Sequence, residues 1–175
     1  FNENHEAALD AITAALQIGD QVPLLHYQHG WVLVQAERFE DAVKVLQSGL
    51  KRFSSDAENV SRTRLLLAGV SAQLSQWTDA IQQYEAIIAA QGTDEETRRR
   101  GLLGLSNAYV QNGDMANGEK VLEEVYREDP KDPGVNNDLG YLYADQGKNL
   151  EQAEKMIRVA LAAQPENPAY LDSLG

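Results

Sequence analysis

Asn137-Asp-Leu-Gly-Tyr-Leu-Tyr-Ala-Asp-Gln-Gly147, then Glu151-Gln-Ala-Glu-Lys-Met-Ile-Arg-Val-Ala-Leu161, then Pro165-Glu-Asn-Pro168: this stretch reads as two helices and a stop. Gly147 marks a tight turn between the helices. Pro165 and Pro168 stand where the second helix must end, since proline has no N–H to give the helix ladder. Gly140 on the first helix and Ala153 on the second are small, which lets two helices approach closely.

Working outward, the same signature recurs along the chain. One column of small residues runs Ala8, Ala42, Ala80, Gly118, Ala153, at intervals of 34, 38, 38 and 35. A second runs Gly30, Ala68, Ser106, Gly140, Gly175, at intervals of 38, 38, 34 and 35. A third column is large: Ile12, Leu46, Tyr84, Leu122, Ile157, each one helical turn beyond the first column. Small residues open the helix crossing and large ones fill the space beside it. Columns kept in step over the whole chain predict repeated helix pairs.

The predicted helices cover about 4–17, 23–36, 39–52, 56–74, 77–91, 94–112, 115–128, 134–146, 150–163 and 167–174, with boundary errors of about 2–4 residues. No strand is expected. All five prolines fall between units. Ser55-Asp-Ala-Glu58 and Thr93-Asp-Glu-Glu96 read as capping boxes that start their helices about one turn early. Four extra residues, roughly one turn, explain the two 38-residue intervals without disturbing the columns.

Composition narrows the function. The chain has 175 residues, and 15 basic against 27 acidic side chains give a net charge of −12. That balance argues against nucleic acid as a partner, because phosphate binding needs a basic surface. Hydrophobic residues at 43% support a packed core. The absence of cysteine removes disulfides, thiol catalysis and thiolate metal sites. No apolar run approaches the roughly 18–20 residues of a membrane span, so no direct membrane insertion is expected.

These residues resemble the tetratricopeptide repeat family over nearly the whole chain. The match is clearest in the stretch quoted first, where Gly140, Tyr143, Ala153, Ala160 and Pro165 follow the family pattern of Leu-Gly-x-x-Tyr, a turn glycine, a buried alanine and a closing proline. That unit is similar to bacterial members. Earlier units depart from it: Ala68 and Ser106 replace the first glycine, Gly118 replaces the alanine, and Ser54 and Gly92 stand where proline would close the unit. The resemblance implies an all-α, right-handed superhelical solenoid of antiparallel helix pairs, about ten helices in one array over 1–175. The register divides it into a half-unit at 1–20, complete units at about 21–54, 55–92, 93–131 and 132–166, and a half-unit at 167–175. The chain opens at Phe1, not Met, and reads as a segment of a longer protein. An acidic, cysteine-free chain fits the bacterial cytoplasm and periplasm alike.

Catalytic chemistry is not expected. There is no phosphate-binding glycine loop, and Gly101-Leu-Leu-Gly104 falls inside a helix. There is no Gly-x-Ser-x-Gly elbow. His26 and His29 share a helix face at i, i+3 but lack a third ligand nearby, so they read as semi-buried structural residues; His5 reads as solvated. Asp129-Pro-Lys-Asp132 lacks calcium-loop spacing. The Asn59-Val-Ser61 sequon lies within a predicted helix. No cofactor and no metal is expected.

The resemblance places function on a concave groove lined by the first helix of each unit, which in the family binds extended peptides or partner helices. Projected onto this chain, the inner face is Tyr27-Trp31-Gln35, Leu65-Gly69-Gln73, Leu103-Asn107-Gln111 and Asn137-Tyr141-Asp145, each series at i, i+4, i+8. Tyr27, Trp31 and Tyr141 are candidate aromatic anchors. Gln35, Gln73, Gln111, Asn107 and Asn137 offer amides to a peptide backbone. Arg62 and Arg100 occupy equivalent places near the groove, where they meet an acidic peptide or pair with carboxylates one turn earlier. The two-carboxylate clamp of chaperone-binding members is absent: Tyr27, Trp31, Arg62 and Leu66 hold the matching places.

The expected function is therefore a non-enzymatic scaffold that binds a peptide or helix of a protein partner of unknown identity. The alternatives are self-assembly into a homo-oligomer through uncovered terminal half-units, and a regulatory segment of a larger enzyme.

Overall fold

Alternation of short-period helical patterns with turn residues yields helix after helix. The computed structural model describes residues 2–174, with side chains from residue 4. Among the described residues it contains ten α-helices and no strand: α1 (Asn2–Gly19), α2 (Pro23–Gln35), α3 (Phe39–Arg52), α4 (Ala57–Gln73), α5 (Trp77–Ala89), α6 (Glu95–Gln111), α7 (Met115–Glu128), α8 (Pro133–Asp145), α9 (Leu150–Ala163) and α10 (Pro168–Asp172). Each predicted helix is present, with ends within two residues. Gly175, assigned to the second small-residue column, lies outside the described residues.

The chain divides into two compact units, residues up to Ala108 and residues from Tyr109 on. In the first, α1 packs on α2, α2 on α3, α3 on α4, and α4 on α5. In the second, α8 packs on both α7 and α9.

The three columns interlock as steric partners. A Cβ on Gly30 would fall 2.4 Å from Leu46 Cδ2, and one on Gly140 would fall 2.9 Å from Ile157 Cγ1 and 3.0 Å from the Ala153 carbonyl. Ala42, Ala80 and Leu46 are fully buried, as are Ile157 and Ala160 in the second unit. Close packing at these crossings leaves no space for an added methyl.

Both long first helices, α4 and α6, have 17 residues against 13 in α2 and α8, the one-turn extension expected from the 38-residue intervals. The caps differ from the expected boxes. Asp56, not Ser55, caps α4: its Oδ1 accepts the Asn59 N–H at 3.1 Å. Asp94, not Thr93, accepts the Thr97 N–H at 2.9 Å. A carboxylate one residue later reaches the same orphan donors with better charge, since the helix N-terminus is positive. Thr93 instead donates to the Ile87 carbonyl at 3.2 Å, and Glu58 pairs with Arg62.

The turns inside the four complete helix pairs share one design that sequence reading located only twice. Glu37, Ser75, Gly113 and Gly147 all have left-handed backbone, with φ of 56°, 57°, 84° and 64°. At each, two hydrogen bonds close the helix end: Arg38 N–H to Leu33 O with Glu37 N–H to Val34 O, Gln76 to Ser71 with Ser75 to Ala72, Asp114 to Tyr109 with Gly113 to Val110, and Lys148 to Tyr143 with Gly147 to Ala144. These are Schellman motifs. Glycine suits this conformation, whereas glutamate and serine are strained in it.

Candidate functional site

The first unit carries an open groove of about 690 Å³. Helical spacing builds its walls. Tyr27, Trp31 and Val34 come from α2 at i, i+4, i+7; Arg62, Leu65, Leu66, Gly69, Val70 and Gln73 come from one face of α4; Thr97 and Arg100 come from the start of α6; Phe39 comes from the first turn of α3. The buried cluster of Leu9, Leu33, Ala42 and Val70, with Phe39, Leu66 and Val34 of the groove packed against it, holds α2, α3 and α4 together.

Trp31 is 48% exposed, a large apolar surface left facing water. At Gly69 the α4 backbone is bare: a Cβ there would meet nothing within 4 Å. Arg62 lies 2.7 Å from Glu58 one turn earlier, so its charge is already half spent within α4. The Asp94 carboxyl is held below the ordinary aspartate value, first by the Thr97 backbone N–H and hydroxyl and to a lesser degree by Arg62. Arg100 is exposed, and among the described residues no carboxylate forms an ion pair with it. Its field reaches the Tyr84 phenol, whose pKa burial pushes up and Arg100 partly restores. The groove thus offers an aromatic wall, an aliphatic floor and one uncommitted guanidinium.

Five of the predicted site residues line this groove: Tyr27, Trp31, Arg62, Gln73 and Arg100. Gln35 is exposed on α2 and Asn107 on α6, both outside the lining. Gln111 and Tyr141, both exposed, belong to the second unit. Asn137 also belongs there, and it is buried rather than offered to a ligand: it is 7% exposed, Nδ2 donates to Asp138 Oδ1 at 3.2 Å, and Oδ1 has no partner. Val34, Phe39, Val70 and Thr97 were not anticipated, whereas Leu66 holds the inner place read from the sequence. Val34 continues the Tyr27–Trp31 stripe by one turn, a signal that was available in the sequence; Phe39 reaches the groove only through the turn at Glu37, and it was not.

The remaining candidates have structural roles. His26 Nε2 lies 2.8 Å from the Asp20 carbonyl, and its ring packs on Phe53 with centroids 5.0 Å apart. His29 is half-buried, and that burial lowers its pKa, with smaller contributions from His26 and Arg38. Among the described residues no three His, Asp or Glu side chains cluster as metal ligands, and no helix is long and apolar enough to cross a membrane. Asn59 of the sequon donates to Asp56 Oδ2 at 2.7 Å, and Ser61 is buried. Arg64 is held by Gln83 at 2.7 Å, away from the groove lining.

Sequence comparison finds two tetratricopeptide repeat models matching residues 27–95 and 109–174. Among curated proteins none matches. Several solved structures share the fold. PilF of Pseudomonas aeruginosa superposes with a TM-score of 0.80 at 18% identity, covering 98% of this chain and 74% of that one. MamA of Desulfovibrio magneticus RS-1 gives 0.77 at 20% identity, covering 93% and 88%. YrrB, described as a TPR protein with an unusual peptide-binding site, gives 0.74 at 21% identity, covering 98% and 84%.

Proposed function

The chain belongs to the tetratricopeptide repeat family, and from that premise we propose that it is a non-enzymatic interaction scaffold whose first unit holds a peptide or helix of a partner protein between α2, α4 and α6. Repeat arrays of this kind present stacked helix faces as binding surfaces. The observation that carries the reading is Trp31, nearly half exposed at the wall of a groove wide enough for a segment of chain. A large aromatic kept in water costs free energy in the unbound state and contributes strongly once covered. YrrB, a relative in fold, is described as having a peptide-binding site, which supports this choice of site class without assigning a ligand.

The test compares two baits in lysate of the source organism, the native chain and a Tyr27→Ala/Trp31→Ala variant matched for helicity and melting. A partner retained by the native bait, lost by the variant, and then shown to bind as a purified protein supports the groove. A tight complex indifferent to both substitutions refutes it.

A second reading, self-association, is favoured by one apolar cluster away from the groove: Ile18 is 92% exposed, with Val22 and Leu24 exposed close by. Light scattering over a concentration series tests it; a strict monomer at high concentration removes it.

A further inference from the structure

We propose that the occupant of this groove is a peptide segment with a large apolar side chain that sits over Gly69 and a carboxylate that pairs with Arg100. This deepens the groove reading and rests on it.

Gly69 is the first observation. Glycine inside a helix costs about 1 kcal/mol relative to alanine. Elsewhere the fold has a reason to accept that cost. A Cβ at Gly30 would strike Leu46, one at Gly104 would lie 2.4 Å from Tyr84 Cζ, and one at Gly140 would strike Ile157. At Gly69 no neighbour approaches within 4 Å, and the backbone is ordinary helix. Among the described residues no neighbour crowds that place, so packing gives no reason for a glycine there. The bare backbone leaves open space in the wall of a groove that Trp31 and Leu65 also line, and a large apolar side chain of a ligand would use it.

The charge of Arg100 is the second. The chain carries −12 overall, yet both ionic side chains that line the groove are arginines. Arg62 already has Glu58; Arg100 has no carboxylate among the described residues. A guanidinium at the edge of an apolar groove binds a carboxylate by paired charge-assisted hydrogen bonds and repels a basic segment.

The two line the same groove. Arg100 holds on α6 the place that Arg62 holds on α4, 38 residues earlier.

Three pools of fluorescein-labelled octapeptides in a Gly/Ser background test this by anisotropy. The first carries Leu, Phe or Trp with Glu one to five residues away, the second has Lys in place of Glu, and the third has Ala in place of the apolar residue. The first pool is expected to bind about tenfold tighter than the others, in line with one desolvated charge pair or one buried side chain. Arg100→Glu should reverse the preference between the first and second pools. Gly69→Ala should raise the melting temperature while weakening the first pool severalfold, a combination that a purely structural glycine would not produce.

Equal binding of the Glu and Lys pools, unchanged binding by Gly69→Ala, or no binding by any pool overturns the proposal. Binding lost in Tyr27→Ala/Trp31→Ala yet indifferent to charge leaves the groove standing and removes only this ligand chemistry. Binding that survives that double variant removes the groove itself. A dimer dissolved by Gly69→Leu assigns the groove to a second copy and overturns the peptide.

Discussion

Replacing Glu37 and Ser75 by glycine is expected to stabilise the chain. Both residues sit at the left-handed position of a Schellman turn, with φ of 56° and 57°, where Gly113 and Gly147 serve in the later pairs. A non-glycine residue held there costs about 1–2 kcal/mol from its Cβ. Glycine loses about 0.5–1 kcal/mol more backbone entropy on folding. The difference leaves about 0.5–1 kcal/mol per site, or ~1–2 kcal/mol for the pair. Neither side chain offsets this through contacts, since both are exposed and neither makes a side-chain hydrogen bond or ion pair among the described residues. For a chain of this length 1 kcal/mol moves the melting point by about 2–4 °C, so the double variant should melt about 2–8 °C higher by circular dichroism. Glu37→Ala serves as the control: alanine keeps the Cβ and therefore the strain, so it should bring no gain. An equal rise with alanine, or no rise with glycine, would refute the attribution of strain to these turns.

Other consequences concern packing, capping and protonation. Gly30→Ala places a Cβ 2.4 Å from Leu46 Cδ2 and 2.6 Å from Cγ; a loss of about 1–3 kcal/mol is expected in urea titration, and the Gly30→Ala/Leu46→Val pair should lose less than the sum of its single variants. Asp56→Ala should lower the melting temperature at neutral pH. Hydrogen bonds from the Asn59 side chain and backbone hold the Asp56 carboxyl below its usual 3.8, so the gap between native and variant persists above that pH and closes as pH falls below it; a gap unchanged in acid counts against the cap. His29, kept below 6.5 first by burial and then by His26 and Arg38, takes up its proton more readily when unfolded. Its contribution is therefore complete above 6.5 and declines as pH drops below it. His29→Gln should flatten the melting profile between about pH 7.5 and 5.5, and an unaltered slope would exclude His29 as its source.

Most of the groove lining was legible before the structure. Tyr27 and Trp31 lie on α2, and Gly69 and Gln73 on α4, where the i, i+4 series placed them. On α6 the i, i+4 series followed Leu103, Asn107 and Gln111, which do not line the groove; Arg100, placed there by its equivalence to Arg62, does, together with Thr97, which was not foreseen. Thr97 lies in the extra turn at the start of α6, beyond the level where the shorter first helices begin, and the i, i+4 series did not extend into it. Asn137 looked like a groove amide because its spacing from Tyr141 is one helical turn; its burial shows that shared spacing does not guarantee shared exposure.

The division has a physical cause. Helix extents, pairing and the steric columns follow from residues near one another in the chain: period, caps, turn glycines and prolines act within a few residues, so ten helices were readable without a partner in view. How far each helix is rotated about its axis depends on what it packs against. On α6, a Cβ added at Gly101 would fall 3.3 Å from Ile87 Cγ2 and one at Gly104 would fall 2.4 Å from Tyr84 Cζ, so the bare backbone of both faces α5. The left-handed turns at Glu37 and Ser75 likewise exist because the packed helices on either side, and the two hydrogen bonds closing each turn, outweigh a local preference that points the other way. Only the assembled tertiary structure supplies those forces, and with them the groove, its bare glycine and its unpaired arginine.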